Sequence, residues 1–328
     1  MNRRDLLASV AFGGLVGGHR FSFAQTRKER PLIVWFASAT QAMASPYIGF
    51  LQEGLRELGD IEGREFEFAG RFADFKVEQL PGLAEEIVRL NPAIIVCGAV
   101  DTATAARKAT AVIPIVSAAL ADAVHLGLVA SYPRPGGNVT GITPYIEGLP
   151  AKQLEIVREI VPRVKRIGLL GNVNDPKAPP QRKELEAAAE TAGIEVVMPD
   201  LAAPGDIEAA VTALAVGPVE AVIVLQTTMM LGQRRNIARL MATHRVPAVY
   251  GYREHIDEGG LISYGVDLRW CWHHLAMFVH KILNGATPAD LPIEFPPRVQ
   301  LVINMKTAKA LGLTVPSTLL ARADEVIE

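Results

Sequence analysis

Arg134-Pro-Gly-Gly-Asn-Val-Thr-Gly-Ile-Thr143 is the stretch at which this chain changes from one folding unit to another. Pro133 and Pro135 oppose helix, Gly136-Gly137 makes a turn, and Asn138-Val-Thr-Gly-Ile142 resumes an extended, β-branched path. Alternating apolar strands and amphipathic helices precede it, and a second series of the same kind follows. The extended path reads as a strand that leaves one α/β lobe and enters another. A ligand cleft is expected between the lobes, because α/β sheets present binding loops at the carboxyl ends of their strands.

Upstream, Leu32–Phe36, Glu65–Ala69, Ala93–Cys97 and Pro114–Ser117 read as strands. Helices are expected from Pro46 (as a first-turn proline) to Leu58, over Lys76–Leu90 and Thr102–Ala109, and briefly over Val124–Ser131. Four strand–helix units with short links indicate a parallel, doubly wound sheet. Downstream the pattern begins again. Strands are expected at Arg166–Leu170, Ile194–Val197, Ala221–Leu225 and Val246–Tyr250, with helices over Ala151–Val161, Gln181–Thr191, Asp206–Ala215 and Arg234–His244. Leu261–Val266 looks like a return path, and Leu268–Leu283 is a helix ended by Asn284-Gly285. A Pro-rich link then leads to strand Leu301–Ile303 and helix Thr307–Leu311, and the tail from Pro316 to Ile327 reads as short helical pieces.

The 328 residues, 49% apolar, suffice for two cores. The formal charge is −2, or about −4 without the first 25 residues, and no basic stripe is present, which argues against nucleic-acid binding. Those 25 residues read as an export signal. Asn2 to Leu7 is a basic leader, Leu6 to Gly18 is mildly apolar, and Ser22-Phe-Ala24 offers small residues for cleavage. The paired Arg3-Arg4 resembles a twin-arginine signal, with the general secretory route as the alternative. The apolar run is shorter than the ~20 residues needed to span a membrane. Cys97 and Cys271 are too few and too distant for a disulfide framework, so no bridge is expected.

Enzyme signatures are missing from the sequence. There is no phosphate loop, no G-x-S-x-G nucleophile elbow, no H-E-x-x-H pair and no dinucleotide fingerprint after the first strand. His273, His274 and His280 with Cys271 are the one metal-like group. They share a helix with Trp270, Trp272, Leu275, Met277 and Phe278, and a packed helix explains them better, so no metal or cofactor is expected. The candidate binding residues lie on strand-end loops. They are Ser38 and Thr40 after the first strand, Val100, Asp101 and Thr102 after the third, and Ser117 and Asp122 after the fourth. In the second lobe they are Asn172, Gln226 and Thr227, with Tyr250 and Tyr252, while Tyr145 and Tyr264 stand near the crossings. Each alone could be a loop cap or packing residue. Together they suit gripping a small polar or zwitterionic ligand, since no nucleophile is paired with a base.

Four segments give the chain a resemblance. They are Leu126–Ser131 with Arg134–Gly141, Gly259–Gly265, Leu301–Leu313 and Ala321–Ile327. With them the sequence resembles the periplasmic substrate-binding proteins of ABC transporters that include tryptophan and other aromatic-amino-acid binders. That resemblance implies a type I periplasmic binding fold with two doubly wound parallel-sheet lobes, hinge crossings and closure on ligand. It further implies delivery to a membrane permease driven by an ATPase, without catalysis, and a monomer is expected. Lobe one is expected to comprise about 30–142 and 264–286, and lobe two about 143–263 and 287–328. The family's loops after the third and fourth strands are often glycine-rich. Here they read Gly98-Ala-Val-Asp-Thr102 and Leu120-Ala-Asp-Ala-Val124, which changes how closely backbone can approach a ligand and adds the charge of Asp101. The alternatives are a ligand-sensing subunit of a membrane receptor, an exported α/β enzyme, or, against the export signal, a repressor core.

Overall fold

The computed structural model describes residues 30–144, 146–217 and 219–328. The expected export signal and Tyr145 lie outside the described residues. Strands β1 (Leu32–Ala37), β2 (Glu67–Phe72), β3 (Ile94–Cys97), β4 (Ile115–Ser117) and β5 (Val139–Gly141) form a parallel sheet in the order 2-1-3-4-5. Strands β6 (Arg166–Leu170), β7 (Glu195–Val197), β8 (Ala221–Val224), β9 (Ala248–Tyr250), β10 (Ile262–Val266), β11 (Val299–Asn304) and β12 (Glu325–Ile327) form the second sheet. Its order is 12-11-10-9-8-6-7, and the β10–β11 pair is antiparallel. Read from β7, the run 7-6-8-9-10 repeats the order of the first sheet. Each sheet therefore reverses direction at its first strand, and such a switch point opens a crevice beyond the strand ends.

Both faces of each sheet are covered, which is why the strands are apolar almost throughout. In β1 the alternation of Ile33 and Trp35 with Val34 and Phe36 feeds two separate cores. Helices α1 (Gln41–Glu57) and α10 (Leu268–Leu283) pack on the first face, and α2 (Leu80–Arg89) and α3 (Val100–Ala109) on the other. In the second sheet α4 (Leu149–Ile160) and α5 (Ala178–Ala192) cover Ile167, Leu169 and Ile223. Helices α6 (Ile207–Val216) and α8 (Arg234–Thr243) cover Val222 and Val224. Short helices α7 (Thr228–Gly232), α9 (Glu254–Asp257), α11 (Met305–Leu311) and α12 (Ser317–Leu320) complete the chain. The α1–α10 contact is close at Gly54, where an added Cβ would lie 2.4 Å from the carbonyl oxygen of His273.

The chain passes between the sheets after β5, after β10 and before β11. Two of these passages are tied together, since Glu294 N donates to Gly141 O (3.0 Å) and Thr143 N donates to Glu294 O (3.0 Å). The sequence boundary at residue 264 falls inside β10. All five of its residues pair with β11, and two with β9, so this strand lies in the second sheet and the passage follows Val266.

Three local expectations are corrected. Helix α1 starts at Gln41, not Pro46, because the Thr40 hydroxyl accepts from Met43 N (3.3 Å) and caps it there, leaving Pro46 inside the helix. Val124–Ser131 is a series of turns, because Asp122 (φ 54°) and Gly127 (φ 66°) take the left-handed conformation that a helix cannot continue through. The tail ends in a strand, β12, paired parallel to β11.

Candidate functional site

The loops leaving both switch points converge. Ser38 after β1, Ala99 to Asp101 after β3, Asn172 and Asn174 to Pro176 after β6, and Thr228 and Met229 after β8 line one polar space, with about 870 Å³ of empty volume including its mouth. Beside it lies a second, apolar space of about 610 Å³, again including the mouth. Its walls are Trp35, Tyr47 and Trp272 with the small residues Ala37, Ala39, Gly98, Ala118 and Ala119 from the first sheet's side, and Leu231 and Tyr252 from the second's. Thr228 borders both spaces, and Lys177 is the one charged residue lining the apolar one.

The aromatic wall is built by packing. Trp35 of β1 meets Trp272 of α10 with ring centroids 4.7 Å apart, while Tyr47 of α1 lies 6.1 Å from Trp272. Such tilted pairs add to area burial and hold the rings in one pose. The Trp35 Nε1 donor is buried without a hydrogen-bond partner.

A charged group stands where the two spaces meet. Asp175 is buried, and its carboxylate accepts from Lys177 N (3.0 Å) and Thr228 N (2.9 Å). Lys177 Nζ, also buried, lies 3.9 Å from Asp175 Oδ2 and donates to Thr228 Oγ1 (3.4 Å). Burial would lower the ammonium's pKa, but Asp175, Tyr252 and Asp101 outweigh that and hold it above the usual lysine range, so it stays charged. Across the cleft Asp101 Oδ1 accepts from Thr102 N (2.6 Å). Burial pushes this carboxyl up, Asp175 adds to the rise, and Ser38, Thr102 and Lys177 oppose it without cancelling it. The Ser38 hydroxyl, buried and without a partner of its own, acts on that carboxylate and lowers its pKa. Further along the cleft, burial raises the Glu254 carboxyl to about 7, and Tyr47 from the opposite lobe meets it.

The residues singled out from sequence separate into groups. Ser38, Val100, Asp101 and Asn172 line the polar space, and Tyr252 lines the apolar one. Thr40 caps α1. Thr102 closes the first turn of α3, donating through Oγ1 to Ala99 O (2.7 Å). Ser117 Oγ accepts from Ala119 N (3.1 Å) and so shapes the loop that supplies Ala118 and Ala119 to the wall. Gln226 is scaffold, since its N–H donates to Gln181 Oε1 (2.9 Å) and its Nε2 to Gly251 O (2.8 Å). Thr227 is buried under α7 and borders neither space. Tyr250 is core, stacked on His255 at 4.6 Å. Tyr264 packs on the second core, and its carbonyl accepts from Gln153 Nε2 (2.8 Å). Asp122 lies in a turn that borders neither space. The sequence reading missed Trp35, Tyr47, Lys177 and Trp272. Only Lys177 carried a signal, as a cation two residues from Asp175 in a strand-end loop.

Cys97 and Cys271 are both buried free thiols. His273, His274 and His280 each face a separate carboxylate, namely Glu57, Glu294 and Asp60. No group of three metal-ligating side chains occurs among the described residues.

Known proteins share this architecture. The sequence pattern of the family described as ABC transporter substrate binding protein matches residues 38–327. A tyrosine-binding protein of Clostridioides difficile is 25% identical over 265 residues, covering 81% of this chain and 76% of its own. A conserved domain protein of Vibrio cholerae superposes with a TM-score of 0.85 at 27% identity, over 91% of this chain and all of that one. An ABC domain from Streptococcus pneumoniae, solved in complex with L-Trp, gives 0.84 at 24% identity with the same coverage.

Proposed function

We propose a function from one premise: this chain belongs to the ABC transporter substrate-binding protein family. It is the solute-binding component of an ABC importer and clamps a small ligand between two lobes. The ligand in our reading is a compact solute with an apolar or aromatic body and a polar head, an amino acid or a related compound. The body enters the space walled by Trp35, Tyr47, Tyr252 and Trp272, and the head meets the polar loops at the switch points. One observation carries this reading: both lobes supply walls to the same enclosed space, so the solute is held only while they are together. The C. difficile relative is named for tyrosine and the S. pneumoniae structure holds L-Trp, which fits a body of this kind.

The protein would bind and release its solute unchanged, docking as a monomer on a membrane permease with its ATPase. The signal read in residues 1–25 fits a periplasmic setting. Lobe one is proposed to end near Gly141 and to regain the chain at α10. Mass spectrometry of small molecules released from protein purified without refolding tests the reading. A solute is expected from the wild type and not from Ala119→Trp, whose side chain fills the apolar space. Equal yield from both, or a solute that is chemically altered on incubation, would overturn it.

A further inference from the structure

The charges around the interlobe space do not balance. Asp101 and Asp175 are carboxylates, Lys177 is the one ammonium coupled to both, and an excess of one negative charge remains. Burying an uncompensated charge is costly, and removing water from it by closing the lobes makes it more so. The two acids differ in how they are held. Asp175 has two backbone amides and Lys177. Asp101 has one aligned hydrogen bond among the described residues, from Thr102 N, and burial raises its carboxyl against the opposing pull of Lys177. Next to it Ser38, only 4% exposed and lining the same space, has an Oγ with no hydrogen-bond partner.

The amino end of α3 would ordinarily suit an anion. Here Asp101 already occupies that role with its own carboxylate, so an incoming carboxylate meets a like charge. At Lys177, Asp175 and the Tyr252 hydroxyl already engage the ammonium. An ammonium entering the polar space neutralises the group, a zwitterion leaves the excess in place, and a carboxylate doubles it.

We infer that the solute is an amine with an apolar or aromatic body and no free carboxylate, and that Asp101, with Ser38 beside it, selects the protonated nitrogen. This rests on the interlobe space being the solute site, as proposed above.

The test uses matched sets with one body and different heads: phenethylamine, phenylalanine and 3-phenylpropanoate, then isopentylamine, leucine and 4-methylpentanoate. Wild type and Asp101→Asn are equilibrated with the equimolar mixture at pH 7, separated rapidly from free solute, and the retained compounds identified by mass spectrometry. The wild type is expected to retain an amine in preference to its amino acid and acid. Asp101→Asn, whose amide oxygen can still accept from Thr102 N, should hold that amine roughly ten- to a hundredfold more weakly, with its thermal midpoint confirming the fold. Retention of an amino acid or acid at parity or better, or amine binding unchanged in Asp101→Asn, overturns the inference and leaves the clamp standing. Retention of nothing by either protein removes both.

Discussion

Glu254 shows how one side chain can link proton concentration to lobe contact. Its residue is partly exposed, yet the Oε2 atom is buried without a hydrogen-bond partner, and burial raises the carboxyl to about 7. Tyr47 reaches it from the other lobe, Arg234, Arg253 and Asp257 act on it from its own side, and Asp267 and Arg269 border the same groove. Exposed, the group would titrate near 4.5. The folded, closed form thus holds the proton more tightly, so its stability relative to open or unfolded forms is greatest below that value and declines as pH rises through about 7. Thermal melts from pH 5 to 8 should show the wild type losing more stability than Glu254→Gln, by at most about 3 kcal/mol. His255 acts with the opposite sign, since burial lowers it to about 4, and it is common to both proteins. Lys177 supplies a second test. Replacing it with Met strands Asp175 beside Asp101, and denaturant unfolding should report a loss of about 3–5 kcal/mol.

Among the elements, the α1–α10 pair determines whether the aromatic wall stands. The helices approach where Gly54 faces the backbone of His273, one residue beyond Trp272. Gly54→Val would drive a branched side chain into a carbonyl 2.4 Å from where its Cβ must sit. Calorimetry should find a destabilisation of about 1–3 kcal/mol, together with weaker solute binding as Trp272 is displaced. The strand–helix alternation was legible because sheets covered on both faces demand uninterrupted apolar strands, as in Ile94–Cys97. The wall was not. Trp35 and Trp272 sit at positions that also serve the core, and a core ring and a cavity ring look alike in sequence. Tyr47 was hidden by reading Pro46 as a helix start, when the Thr40 cap had already begun the helix. Loop residues such as Gln226 and Thr102 looked available but are spent on the backbone carbonyls of Gly251 and Ala99.

For the whole molecule, the consequential feature is the convergence of residues 38, 101, 175, 177 and 252 from two sheets, which no local spacing encodes. The repeated strand order makes it inevitable once the sheets face each other, since each switch point opens toward the other. Closure on a solute should appear in small-angle scattering as a smaller radius of gyration. Solute at ~100 times its dissociation constant should add about 2.7 kcal/mol of stability, and an unchanged radius on saturation would count against a moving clamp.

Two of the chain's three indoles belong to this seam. Trp35 and Trp272 face the apolar space, while Trp270, also on α10, stacks on His274 with ring centroids 4.5 Å apart. Excitation near 295 nm therefore reports on the pocket through two of the three emitters, with Trp270 as a constant background. Occupancy could be followed in real time by the protein's own emission, without a dye, a label or a purified transporter.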